Sequence, residues 1–282
     1  MAVRRLRGGS STAVHAIDVQ DARGRRRKLV LRRFIRPNWQ QPDLPRREAA
    51  VLELLRASAV PAPELVAFDA EARECDVPAL LMTRLPGRID LRPKDMRGWL
   101  TQMAAVLPRI HEIVSSAEIR PYRPYTDPRT LEPPWWSQRQ DAWRGLLDRL
   151  AQPAPRAARR FIHRDYHPAN LLWSRGKISG VTDWVNASIG SPGIDLGHCS
   201  VNLVELYGME AADRFLGTYL SLLGLRREDH DPYWDAITAC DSGFATEPQP
   251  FPGWRGLGPK GLTRRIIKNR LDAYAVAIAA RC

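Results

Sequence analysis

Between positions 163 and 183 the chain carries His163, Asp165, His167, Asn170 and Asp183, side chains able to move a proton or hold a cation. Three chemistries suit such a set. Alternation along an extended strand would bring His163, Asp165 and His167 to one face, and imidazole with carboxylate is a ligand mix that zinc accepts. Pro168 speaks for a loop instead, and the other histidines (15, 111, 198 and 230) have no paired spacing to complete a hydrolytic metal site. A plainer alternative is that Asp and His ahead of an apolar strand only satisfy local backbone donors. Phosphoryl transfer accounts for more of the residues. It needs a carboxylate to accept the proton of a substrate hydroxyl, and a side-chain oxygen with a second carboxylate to hold magnesium against phosphates. His163, Arg164, Asp165 and Asn170 match the phosphoryl-transfer loop pattern H-R-D-x-x-x-x-N letter for letter, and the further Asp comes as Asp183 in GVTDW.

For that chemistry Asp183 must return to Asn170. NLLWS, RGK and ISGVTDW read as strand, turn and strand, and a hairpin brings the two positions together across thirteen residues. Upstream, TAVHAIDVQD alternates apolar and polar residues, RGRR supplies a turn and KLVLRRF a second strand. PRREAAVLELLRAS sets Ala50, Val51, Leu54 and Leu55 on one helical face, VPAPEL ends that helix, and VPALLMTRLPG reads as a buried strand closing at Gly87. Beyond Gly87 the pattern is mostly helical. Asp95 is placed to cap a helix bearing Trp99, Met103, Val106, Ile110 and Ile113, which Pro108 should kink. Further helices are read near 137–151, 208–223 and 263–280. The expected class is α+β: a small antiparallel sheet with one main helix over residues 1–85, a larger and mainly helical part over 86–282, and a cleft between them.

Composition sets the background. The 282 residues are 44% hydrophobic and 26% charged, enough for one large core or two smaller lobes. Four scattered cysteines, at 75, 199, 240 and 282, form no C-x-x-C pair, which points to a reducing compartment and a cytoplasmic protein. MAVRRLRGGSSTAV lacks the apolar core of a signal peptide, and no apolar run approaches membrane-spanning length. The net charge of +12 invites a nucleic-acid reading, yet only five of the 43 basic residues are Lys, and arginine is spread through the chain rather than gathered into a patch. The expected partner is a small molecule, with neither nucleic acid nor membrane; oligomeric state leaves no trace in the sequence.

The stretch HRDYHPANLLWSRGKISGVTDWVNASIGSPGIDLGH closely resembles the aminoglycoside phosphotransferase family, small-molecule kinases that share the bilobal protein-kinase fold. Asp followed by His-Pro-x-Asn, then Gly-x-x-Asp-Trp, then Gly-x-Pro-x-x-Asp-Leu is more particular to that family than to protein kinases, which carry Asp-Phe-Gly where this chain has Asp183, Trp184 and Val185. The resemblance implies Asp165 as catalytic base, Asn170 and Asp183 as magnesium ligands, and Asp195 and His163 as braces of the catalytic loop. It makes RLRGGSSTAVHAI the loop covering the nucleotide, with Gly8 and Gly9 permitting a close turn and Ser10, Ser11 and Thr12 donating to phosphates. It implies Arg32 as the cation on the α- and β-phosphates, where protein kinases use Lys, with Lys28 as the other candidate, and Glu48 as the carboxylate orienting that cation. Met82 to Arg84 would offer backbone groups to the base. No Walker A lysine motif or Rossmann glycine fingerprint competes. The implied activity is transfer of the γ-phosphoryl group of ATP, or another nucleoside triphosphate, with Mg2+, to a hydroxyl of an aminoglycoside-, macrolide- or sugar-like molecule. Glu205, Glu210, Asp213, Asp231, Asp235, Asp241 and Glu247 are carboxylates available to a polycationic acceptor, and Trp135, Trp136, Tyr207, Trp234 and Trp254 are aromatics that either stack on one or form core. Two alternatives of other classes are a kinase-fold binding module without catalysis and a basic nucleic-acid-binding protein.

Overall fold

A computed structural model describes residues 2–6, 12–20, 24–35, 43–114, 119–241 and 246–282. Five strands, β1 (Ala2–Arg5), β2 (Ala13–Gln20), β3 (Arg26–Arg33), β4 (Leu65–Asp69) and β5 (Ala79–Thr83), make one antiparallel sheet in the order β1-β2-β3-β5-β4. Helix α1 (Asp43–Leu55) packs on it. Its buried face is Leu44, Glu48, Ala49, Val51, Leu52 and Leu55, while Ala50 and Leu54 of the expected stripe are half-buried. A carboxylate on the buried face of a helix demands a partner, and Glu48 has one.

The remainder contains β6 (Arg88–Ile89), α2 (Met96–His111), α3 (Gln140–Ala151), β7 (Arg160–Ile162), β8 (Leu171–Ser174), β9 (Lys177–Val181), β10 (Ser188–Gly190), α4 (Pro192–Tyr207), α5 (Met209–Leu222), α6 (Tyr233–Asp241) and α7 (Arg264–Ala279). The α+β expectation therefore holds, with the small antiparallel sheet first and a helical majority after it. Helix α2 begins where Asp95 accepts a hydrogen bond from Gly98 N–H and runs through Pro108 to His111, so the proline does not end it. Among the described residues no helix is long and apolar enough to cross a membrane.

Helix α4 is the axis of this second part and packs against α5, α6 and α7. Ile194, Leu196, Cys199, Val201, Leu203, Val204 and Leu206 bury almost its whole circumference. Gly193 and Gly197 let it approach α6 closely: a Cβ on Gly197 would lie 2.5 Å from the Trp234 carbonyl oxygen, and one on Gly193 would overlap the Trp234 ring. Close-packed backbones of this kind leave α4 little freedom to shift.

Candidate active site

The loop after β7 is held by main-chain hydrogen bonds to one carboxylate. Asp195, in the first turn of α4 and fully buried, accepts from His163 N–H at 2.9 Å and Arg164 N–H at 2.7 Å, and its Oδ2 also meets His111 Nε2 at 3.1 Å. Burial alone would raise the Asp195 carboxyl; His111, His163 and these N–H groups hold it below its ordinary value. Arg164 sits at φ +73°, a left-handed conformation costly for a residue with a side chain. Its guanidinium is fixed by Asp241 Oδ2 at 3.2 Å and by the Tyr125 ring 3.4 Å away. The ring of His163 accepts from Asp165 N–H at 3.3 Å through Nδ1 and therefore donates through Nε2 to Thr182 O at 3.0 Å. The bracing expected of Asp195 and His163 is thus present in detail.

The hairpin of β8 and β9 also forms as expected, turning at Arg175 and Gly176, both at positive φ. Thr182 N–H donates to Asn170 O at 2.9 Å, which sets Asp183 beside Asn170. Asp183 itself is left-handed, φ +68° and ψ +59°, so its side chain swings off the strand path. Asn170 Nδ2 donates to the Asp165 carbonyl at 2.9 Å and to Asp165 Oδ2 at 3.3 Å, leaving its amide oxygen for another partner. On the other carboxylate oxygen, Oδ1, stands His198 Nε2 at 3.0 Å, with His167 Nε2 farther off at 3.9 Å. Burial would raise the Asp165 carboxyl, but the His198 hydrogen bond and the nearby His167 and His163 rings offset it and keep the group well below the ordinary carboxylate range. Burial pushes His167 down to about 4, so that ring is neutral at neutral pH.

Strand β3 supplies the cation. Arg32 is buried, with Nη1 donating to Glu48 Oε1 at 2.8 Å, Nη2 to Asp183 Oδ1 at 2.7 Å and Nε to Thr12 Oγ1 at 3.2 Å. One guanidinium therefore joins the sheet, α1 and the hairpin, a use for which the planar fork of Arg is suited. Burial works against its charge, yet Asp183 and Glu48 more than restore it. Glu48 is raised above its ordinary value by burial, with Arg32 opposing. Lys28, the other candidate, is exposed near the start of β3.

Gly8, Gly9, Ser10 and Ser11 lie outside the described residues. Met82 and Arg84 lie where β5 leaves the sheet. Thr83 N–H donates to Glu64 O and Arg84 N–H to Lys28 O, while the Arg84 side chain pairs with Asp18. The next donor, Leu85 N–H, makes no hydrogen bond among the described residues. Between β2 and the second part lies a cavity of about 730 Å3, lined by Leu6, Thr12 and Val14 on one side and by Ile89, Pro252, Arg255 and Leu257 on the other.

Most of the carboxylates noted in the helical part are spoken for. Asp235 is buried against His230 and Arg281, Glu247 pairs with Arg264 and Lys268, and Glu210 and Asp213 form surface pairs. Glu205 is the exception: its carboxylate makes no hydrogen bond or ion pair among the described residues and faces a cavity of about 220 Å3 with Trp136, Trp143 and Phe251. Burial raises it to about 7. Trp136 and Trp254 are core, whereas Trp135 is exposed. Among the described residues no three His, Cys, Asp or Glu side chains gather into a metal cage.

A small sheet with a cation–glutamate pair, facing a braced H-R-D loop and an Asp-bearing hairpin, defines a kinase-like phosphotransferase. Comparison agrees: the sequence model of the phosphotransferase enzyme family matches residues 2–240, and the chain belongs to that family. No curated protein matches it in sequence. Its fold is similar to a putative aminoglycoside phosphotransferase from Ralstonia eutropha JMP134, at 17% identity and a TM-score of 0.66 over 99% of this chain and 92% of that one. It is similar to a thermostable mutant of aminoglycoside phosphotransferase APH(4)-Ia in complex with AMP-PNP and hygromycin B, at 18% identity and a TM-score of 0.66 over 99% of this chain and 94% of that one. Macrolide 2'-phosphotransferase MphH from Brachybacterium faecium shares 16% identity with a TM-score of 0.57, over 84% of this chain and 82% of that one.

Proposed function

We propose that this enzyme transfers the γ-phosphoryl group of ATP to a hydroxyl of a small molecule in the cleft between residues 1–85 and 86–282. The observation that carries this reading is the convergence of Arg32, Glu48 and Asp183 in one ion-pair network, with Asn170 and Asp165 adjoining it across the hairpin. Asp165 orients the acceptor hydroxyl and takes its proton. Its carboxylate is ionised throughout the neutral range and keeps a lone pair free on each oxygen beyond those engaged by His198 and Asn170. Arg32, held by Glu48, faces the α- and β-phosphates, and the backbone at Leu85 is the better candidate for the base than Met82 or Arg84.

The donor set suits magnesium: the amide oxygen of Asn170 and the Asp183 carboxylate, whose side chain is 36% exposed, are hard oxygen ligands, and two protein groups suffice when phosphates complete the shell. Held by Asn170 and Asp183, magnesium would supply positive charge to neutralise the phosphates. Positioning and electrostatics supply the remainder of the acceleration.

The acceptor is proposed to reach toward Glu205. That residue stands seven positions beyond His198 on the same face of α4, about 10 Å farther along the axis. An unpaired carboxylate among tryptophans suits a basic amine on a ring-bearing molecule, aminoglycoside-like in character. Purified protein with ATP and magnesium, screened against hydroxylated compounds that include hygromycin B and macrolides, tests the reading. Asp165→Ala should abolish transfer while leaving the circular-dichroism spectrum and ATP binding intact. Transfer that persists in that variant refutes the assignment, and absence of any ATP turnover in the wild type favours a binding module instead.

A further inference from the structure

Asp165 is steered by a residue that the loop motif does not contain. His198 lies three positions after Asp195 on α4, so the two side chains leave the helix on one face. They divide the work. Asp195 holds the main chain of the loop at His163 and Arg164, and His198 holds the side chain of the residue that follows them, at 3.0 Å from Asp165 Oδ1. Because an ionised carboxylate can only accept, His198 Nε2 must be the donor. His167 cannot substitute, since its Nε2 is 3.9 Å from the same oxygen and its Nδ1 turns back toward Ala169 N–H. The helix beneath is fixed by the close fit of Gly193 and Gly197 against Trp234, and the His198 carbonyl is tied to the Asn202 amide at 2.9 Å.

We infer that His198 is a positioning residue for phosphoryl transfer: with Asn170 on Oδ2 it clamps both oxygens of Asp165, fixing the carboxylate plane that receives the acceptor proton. The inference rests on the reading of Asp165 as the proton-accepting group. No proton needs to pass to His198; its donor bond persists before and after the acceptor proton arrives, and it acts through geometry.

The test is steady-state ATP hydrolysis with magnesium and water as the acceptor, measured on wild type, His198→Ala and His198→Gln. Loss of a hydrogen bond to a charged group predicts that His198→Ala lowers kcat about 10- to 100-fold. The KM for ATP should stay within about twofold, because His198 touches nothing that holds the nucleotide. His198→Gln, whose amide nitrogen lies close to where Nε2 stood, should restore most of kcat. The inference is overturned if His198→Ala keeps wild-type kcat, if KM for ATP rises by the factor that kcat falls, or if Gln is no better than Ala, which would mark a packing role. A wild-type protein that turns over no ATP removes the Asp165 reading and the inference with it, an outcome seen before any variant is compared.

Discussion

Replacing Glu205 with Gln should stabilise the folded protein at pH 8 and leave it nearly unchanged at pH 5. Burial in the tryptophan-lined cavity raises the Glu205 carboxyl from 4.5 to about 7, and no cation or donor among the described residues opposes the shift. The sign follows from linkage. Below pH 4.5 both folded and unfolded chains carry the proton, and the folded form suffers nothing from the burial. As pH rises from there toward 7 the unfolded chain ionises while the folded one still holds its proton, so stability is lost, and the loss is complete once the folded group has ionised too. The full difference corresponds to about 3 kcal/mol. Water in the open cavity solvates part of the carboxylate, and the expected gain for Glu205→Gln at pH 8 is therefore about 2 kcal/mol, against less than about 1 at pH 5. Urea unfolding of both proteins at the two pH values measures it, with equal m-values as the check that only the folded state has changed. A gain of equal size at both pH values, or a loss at pH 8, would refute the reasoning, because it would mean that the carboxylate is either fully solvated or already paired.

Two further outcomes follow from the buried charges. Arg32→Met leaves Glu48 buried without its cation and should destabilise the protein by about 3–5 kcal/mol in urea unfolding, a loss that Arg32→Met/Glu48→Gln should largely reverse if the ion pair, and not the packing, is responsible. Asp195→Ala strips the acceptor from His163 N–H and Arg164 N–H at once and should cost about 3–5 kcal/mol in the same assay, with Asp195→Asn milder because one oxygen remains.

What the sequence shows of this site and what it hides divide along a physical line. Asp165, Asn170 and Asp183 are legible because a short loop and a tight hairpin join them, so spacing alone dictates that they meet. Arg32 and Glu48 are legible only with the family resemblance beside them, since a strand cation and a helix carboxylate sixteen positions apart carry no local signal of pairing. The N–H groups of Thr83 and Arg84 are spent on Glu64 and Lys28, an outcome of strand register that no single strand reveals. Edge strand β1, exposed at every position, and the mixed burial of β4 offered no clean alternation to read.

Helix α4 is the largest omission and the most instructive one. Periodicity finds helices that have a wet side, and α4 has almost none: neighbours cover it on three sides and its remaining face is turned to the loop. Its start was visible, for Ser191 caps Gly193 N–H and Pro192 takes the first turn, but GSPG also reads as a turn. Once the helix is in place, Asp195, His198 and Glu205 fall on one side of it, at the loop backbone, the Asp165 carboxylate and the tryptophan-lined cavity in turn. Under the proposed function, those three positions are where the helix meets the chemistry. Their spacing of three and seven is that of one helical face and was available in the sequence before any periodic stripe.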